Sequence, residues 1–280
     1  MRHFIIDSHR GAFKNGLVEN TEPAFAESYF EGANCVECDI RKTKDNQIIL
    51  IHNSTIDHIA KLAKKIPDLS EFNEAPIGKV SDHTLGFLKA FEFPNNSKLL
   101  TLEEFLKVLD KYKLGCQIEL KEGGYEDLIL KEIENAKLDY KNHLAPVVCT
   151  SFNYLSVKKL VKKSKNYQIP LYTHQGVIGL AIGFQGIATG SFYGKYMLRQ
   201  FHKLNIWGGM TYYKYMPVKR LDYAHQLGVH FCPRVPNNKE LVMEYIRAGV
   251  DGFETDDINF IRSCITEAGI ELPPLPKKLN

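Results

Sequence analysis

Short apolar runs alternate with longer amphipathic stretches along the whole chain. The apolar runs fall at 3–8, 35–40, 47–52, 115–120, 147–151, 169–173, 204–210, 229–232 and 251–254, and read as strands. The stretches between most of them predict helices with readable ends. Thr21 opens one, with Pro23 in its first turn and Gly32 just past its end. Thr101 and Glu104 form a capping box for a helix with Leu102, Phe105, Leu106 and Leu109 on one face. Pro217 and Gly228 bracket a third, and Gly249 follows the helix that carries Leu241, Val242, Tyr245 and Ile246. Strand–helix alternation of this kind predicts a parallel sheet with helices outside it.

Nine strand-like runs are one more than a closed barrel of eight needs. The link from Ile40 to Ile48 is too short for a crossover helix. The expectation is therefore an α/β fold, an irregular (βα)8 TIM barrel with an insertion after the third strand. With no internal repeat and no linker, residues 1–280 read as a single domain, and residues 53–98 as an insertion that caps one end. Residues 175–190 are Gly-rich and apolar but too short to span a bilayer.

Composition narrows this a little. Of 280 residues, 44% are hydrophobic and 25% charged, the balance of a globular protein with a real core. A net charge of +3, evenly spread, argues against a nucleic-acid partner. Lys158, Lys159, Lys162, Lys163 and Lys165 fall on one predicted helix and read as its solvated face. No run of about 20 apolar residues is present, and the first strand starts too near Met1 to leave room for a cleaved leader. Cys35 and Cys38, three apart in a strand, face opposite sides and make no ligand pair. The six cysteines are expected to be buried free thiols in a reducing cytoplasm.

Candidate chemistry collects at strand ends. In Val36-Glu37-Cys38-Asp39-Ile40 the period of two puts both carboxylates on one face, and Ile118-Glu119-Leu120-Lys121 repeats the device with an acid and an ammonium. Either strand alone reads rather as one with a solvated polar side. Three acids aimed at one volume need a cation among them, and hard oxygen ligands suit Mg²⁺ or Ca²⁺. His9-Arg10-Gly11 ends the first strand, on the face where barrel enzymes place their chemistry. A histidine there can trade a proton near neutrality, an arginine can grip a phosphate, and a glycine lets backbone come close. His52 ends Ile48-Ile49-Leu50-Ile51 and reads either as a second such histidine or as a satisfied core residue.

These residues stand in a longer pattern: His9-Arg10-Gly11, Glu19-Asn20-Thr21, Gly32-Ala33 with Glu37 and Asp39, and Thr43-Lys44-Asp45 leading to His52. It continues through Gly78-Lys79-Val80-Ser81-Asp82, Thr101-Leu102-Glu103-Glu104, Glu119-Leu120-Lys121, Ser151-Phe152 and Gly252-Phe253-Glu254-Thr255-Asp256. In order and over nearly the whole chain, it resembles the glycerophosphodiester phosphodiesterase family. The resemblance implies a (βα)8 barrel that cleaves glycerophosphodiesters to glycerol 3-phosphate and an alcohol. It implies one divalent cation, Mg²⁺ or Ca²⁺, on Glu37, Asp39 and Glu119, acid–base catalysis by His9 and His52, and phosphate contacts from Arg10 and Lys121. Glu19 and Asn20 read as support for Arg10 or the metal, with helix capping by Asn20 or Thr21 as the plainer alternative.

The likeness thins at Val229-His230-Phe231-Cys232-Pro233-Arg234-Val235, where the family carries an aromatic-Thr-Val-Asn run. Cys232 then stands at the aromatic position and Val235 at the asparagine, on what is normally a wall of the pocket. Trp207 reads as a replacement for that wall or as a core aromatic. The run 175–190 reads as a buried helix or as a site of acyl-chain or peripheral membrane contact. Two other functions therefore stand beside the first: a lysophospholipase D-type activity on lysophospholipids, and a catalytically inactive barrel used as a binding module.

Overall fold

The computed structural model describes residues 4–277 apart from 15, 69–75, 140–141, 168–172, 175–191 and 236. Among the described residues a strand overlaps each of the nine apolar runs, the run 169–173 only at Thr173: β1 (Ile5–Ser8), β2 (Cys35–Lys42), β3 (Ile48–Leu50), β4 (Gly115–Leu120), β5 (Val147–Thr150), β6 (Thr173–His174), β7 (Gly208–Tyr212), β8 (His230–Arg234) and β9 (Gly252–Thr255). Eight of them follow the order β5-β4-β2-β1-β9-β8-β7-β6, paired in parallel. β5 and β6, at the two ends of that order, lie side by side, so the sheet curls into an irregular (βα)8 barrel. The mouth that matters here is the one at the C-terminal ends of these strands.

Helices cover the outside. In chain order they are α1 (Glu22–Phe30), α2 (Asp57–Leu62), α3 (Leu85–Lys89), α4 (Leu102–Tyr112), α5 (Glu126–Ala136), α6 (Tyr154–Ser164), α7 (Phe192–Lys203), α8 (Leu221–Gln226), α9 (Lys239–Arg247) and α10 (Ile258–Glu267). α4 has the predicted capping box: the Glu104 amide donates to Thr101 Oγ1 and the Thr101 amide to Glu104 Oε2. Its apolar face meets β2, β4 and β5 in one core cluster, while helices of the C-terminal half bury Phe231, Phe253 and Tyr245 in another. Inside the barrel, Ile5, Cys35, Val148 and Cys232 form a small floor with Trp207 packed against it.

β3 is the spare strand, and it changes how His52 reaches the mouth. β2 continues beyond the barrel to Lys42, turns, and β3 returns antiparallel to it, Leu50 opposite Ile40. His52 therefore does not end a barrel strand, as its position after an apolar run suggests, but descends to the mouth on the return limb of a hairpin. Thr43 and Asp45 hold the turn, their side-chain oxygens 2.6 Å apart, and the Gln47 amide donates to Thr43 Oγ1. The all-apolar composition of β3 has a simple cause. Ile48 and Leu50 face the main core, and Ile49 and Ile51 face a second cluster with Ile56, Val80, Phe87 and Leu88 of the insertion. All six cysteines are buried and unpaired.

The turn after β1 is equally specific. Arg10 and Gly11 both have left-handed backbones, φ 57° and 84°. A Cβ on Gly11 would lie 2.9 Å from the Ala24 carbonyl carbon. Glycine is needed there so that the loop can rest on α1 while the Arg10 amide turns inward.

Candidate active site at the barrel mouth

Alternation along β2 turns Glu37 and Asp39 into the barrel, and the β2–β4 register sets Glu119 opposite Asp39. All three are buried, and one carboxylate oxygen from each lies within 4.8 Å of the others. The Lys121 ammonium bridges Asp39 Oδ1 (2.7 Å) and Glu119 Oε1 (2.6 Å). Burial, with Asp39 and Glu119 close by, pushes Glu37 well above the usual carboxylate range. Burial likewise pushes Glu119 up to about 7, against the pull of Lys121. Burial works the same way on Asp39, but Lys121 and Arg10 outweigh it and hold that group low. Glu37 Oε1 is buried and accepts no hydrogen bond. A cluster of hard oxygens, one of them without a donor and two resisting ionisation, fits a divalent cation.

The loop between β1 and α1 supports this cluster from one side. The Arg10 amide donates to Glu37 Oε2 (3.0 Å), and its guanidinium pairs with Glu19 (3.2 Å) and Asp39 (3.1 Å). Asn20 holds Asp39 at two points: its Nδ2 donates to Oδ2 (3.0 Å) and its Oδ1 accepts from the Asp39 amide (3.2 Å). The capping alternative does not hold for these side chains. Thr21, the residue at the cap of α1, makes no side-chain cap bond and donates to the Val18 carbonyl instead. His58 of α2 lies 3.8 Å from Glu19, which brings the insertion to the same rim.

His9 is buried at the mouth, with Nδ1 2.7 Å from Asp256 Oδ1 and Nε2 2.8 Å from Nη1 of Arg234. The hydrogen bond from His9, with Arg234 alongside, holds the Asp256 carboxyl well below the usual range. His52, half-buried, has Nδ1 2.7 Å from Asn53 Oδ1, which leaves its Nε2 for chemistry. Arg41 fixes its backbone by donating twice to the His52 carbonyl, at 3.0 and 2.8 Å, while pairing with Glu122. Burial holds the His52 imidazole below its ordinary value. Asp256 and Arg234 stand in the sequence runs above without a role, and Arg41 is not singled out at all. The available signal was alternation: each stands two residues beyond an inward-facing position, Glu254, Cys232 and Asp39 respectively.

The pocket wall is not where the family pattern puts it. Cys232 is buried in the barrel floor and Val235 in the outer core, so neither reaches the mouth. Arg234 is the β8 side chain that does. Trp207 precedes β7, stacks near His230 with ring centroids 4.9 Å apart, and so sits at the opposite end of the barrel. It is a partly buried aromatic packed on the floor, away from the mouth. Phe152 does line the rim, its ring 5.6 Å from Lys121 Nζ. The run 175–190 lies outside the described residues; among those described, no helix is long and apolar enough to cross a membrane.

A parallel barrel whose mouth joins two histidines, three buried acids and the cations Arg10 and Lys121 has the parts of a phosphoric diester hydrolase. Residues 9–260 match the glycerophosphoryl diester phosphodiesterase family, and the chain belongs to it. It is accordingly an enzyme of that kind. It is 26% identical over 270 residues to a glycerophosphodiester phosphodiesterase of Caldanaerobacter subterraneus, covering 92% of this chain and 98% of that one. A human lysophospholipase D, GDPD1, is 25% identical over 182 residues, covering 64% of this chain and 55% of its own. In fold it is similar to an Oleispira antarctica phosphodiesterase solved with the product sn-glycerol-3-phosphate, with TM-score 0.68 and 18% identity over 94% of this chain and 96% of that one.

Proposed function

We propose that the enzyme hydrolyses water-soluble glycerophosphodiesters to glycerol 3-phosphate and an alcohol, using one divalent cation, Mg²⁺ or Ca²⁺. The observation that carries this is the convergence of Glu37, Asp39 and Glu119 with His9 and His52 at one mouth of the barrel. Glu37, Asp39 and Glu119 would hold the cation, which when bound supplies Lewis-acid polarisation of the phosphoryl group. Arg10 and Lys121 would take phosphate oxygens, and Glu19 and Asn20 keep Arg10 and Asp39 in place. One histidine accepts a proton at Nε2 from the nucleophile, water or the glycerol 2-hydroxyl. The other gives one to the leaving oxygen. In this reading residues 1–280 form one domain, residues 53–98 cap its mouth, and the six unpaired thiols suit a cytoplasmic setting.

The test is a substrate panel: glycerophosphocholine and glycerophosphoethanolamine against lysophosphatidylcholine, each with Mg²⁺, with Ca²⁺ and with chelator. Turnover of the short diesters is expected; none with any cation would sink the proposal. Preference for lysophosphatidylcholine would favour the lysophospholipase D reading, which two features at the mouth support. Phe152 and Leu155, after β5, are 43% and 64% exposed, apolar surface that an acyl chain or lipid interface could cover.

Cation affinity should rise with pH through about 7. Glu119 holds a proton below that point and burial pushes Glu37 in the same direction, so a cation must displace protons and its binding releases them. Titration calorimetry in buffers of different protonation enthalpy reads this directly; no proton release at pH 6.5 would contradict it. Without the cation, folding stability should fall as pH rises from the ordinary carboxylate range to about 7. In that window the native state holds protons that the unfolded chain has lost.

Asn20→Ala removes both bonds to Asp39 and should weaken Mg²⁺ binding by about 10–100-fold. Wild-type affinity in that variant would mean that Asp39 is held well enough without it.

A further inference from the structure

Three cations ring the acid cluster, and one of them plays no part in the function proposed so far. Arg10 and Lys121 point into the cluster and are tied to its carboxylates. Arg234 stands on the opposite side, 36% exposed, with Nη2 held by both oxygens of Asp256 at 3.0 and 3.3 Å. Its Nη1 lies 2.8 Å from Nε2 of His9 and 3.6 Å from Glu254.

A guanidinium has only donors. Nε2 of His9 must therefore be the acceptor, which places the ring proton on Nδ1, where it donates to Asp256. One bidentate anchor and two bonds to opposite edges of the imidazole leave His9 a single tautomer. They also cover the nitrogen that chemistry needs. For His9 to act at Nε2, Arg234 must let go, and its donor must find another acceptor in the same place. A phosphoryl oxygen is a better acceptor for a guanidinium than a neutral imidazole.

We infer that Arg234 is a substrate-exchanged positioning residue. In the resting enzyme it holds His9 as the Nδ1–H tautomer and caps Nε2. When a phosphodiester enters, Arg234 keeps its grip on Asp256 and passes Nη1 from Nε2 to a phosphate oxygen, which uncovers the base and adds a third cationic contact on the side away from Arg10 and Lys121. The class of group it recognises is thus the diester's own anionic phosphoryl group. This depends on the acid–base role of His9 proposed above.

The experiment pairs kinetics with ¹⁵N-histidine NMR on the Mg²⁺-loaded enzyme. Arg234→Met should raise KM for glycerophosphocholine by about 10–100-fold, with a much smaller change in kcat, and Arg234→Lys should recover most of the loss. In the wild type, His9 should show a protonated Nδ1 and a hydrogen-bonded, unprotonated Nε2. Adding inorganic phosphate should shift the Nε2 signal, and in Arg234→Met that signal should start without its donor. Unchanged KM in an active, folded Arg234→Met enzyme would overturn the inference, as would a resting His9 protonated on Nε2. The NMR arms and the lysine variant decide the matter even if the methionine variant does not fold. A wild type that turns over no glycerophosphodiester would instead defeat the function proposed above, while the tautomer remains measurable.

Discussion

Thorough chelation should bring turnover of glycerophosphocholine to the buffer background, and Mg²⁺ or Ca²⁺ should restore it. The loss is expected to be about 10³-fold or more, because charge stabilisation by a bound cation amounts to several kcal/mol in a phosphoryl-transfer barrier. Without a cation, the phosphoryl group lacks its Lewis acid. Asp39→Asn should mimic chelation, since it removes the carboxylate that Lys121 and Arg10 hold below the ordinary range. Activity that survives chelation would exclude the metal assignment, whatever the residues look like.

His9→Ala and His52→Ala should each lower kcat by about 10²–10⁴-fold, the usual worth of a positioned proton donor or acceptor. Cation affinity should change little, because neither imidazole is bonded to Glu37, Asp39 or Glu119. The two variants differ in their side effects. His52→Ala keeps the hairpin anchor, since Arg41 holds the backbone carbonyl of that residue rather than its ring. His9→Ala unpairs Asp256 and Arg234 from the imidazole but leaves their own ion pair. The double variant should lose less than the product of the single losses, because acid and base act in one event. Undiminished turnover in either single variant would remove that histidine from the mechanism.

Much of this site can be read from neighbours a few residues apart. The period of two puts Glu37 with Asp39 and Glu119 with Lys121, and the apolar runs mark where most of the described strands lie, because alternation and strand length are local properties of the backbone. Thr101 and Glu104 disclose the start of α4 for the same reason. Other features depend on how distant segments align. Nothing within Ile48–Leu50 reveals that β3 runs backwards, since a strand buried on both faces is apolar in either direction. The height at which a side chain stands in the barrel follows from register between strands far apart in the chain. That register sends Cys232 and Trp207 to the floor, lifts Arg234 to the mouth, and brings Asp256 against His9 across 247 positions. The sequence by itself determined that Glu37 shares a face with Asp39 and Glu119 with Lys121, because strand alternation is local. The tertiary structure alone decided which nitrogen of His9 is covered and by what, because a hydrogen bond needs a partner in space, and here the partners come from opposite ends of the chain.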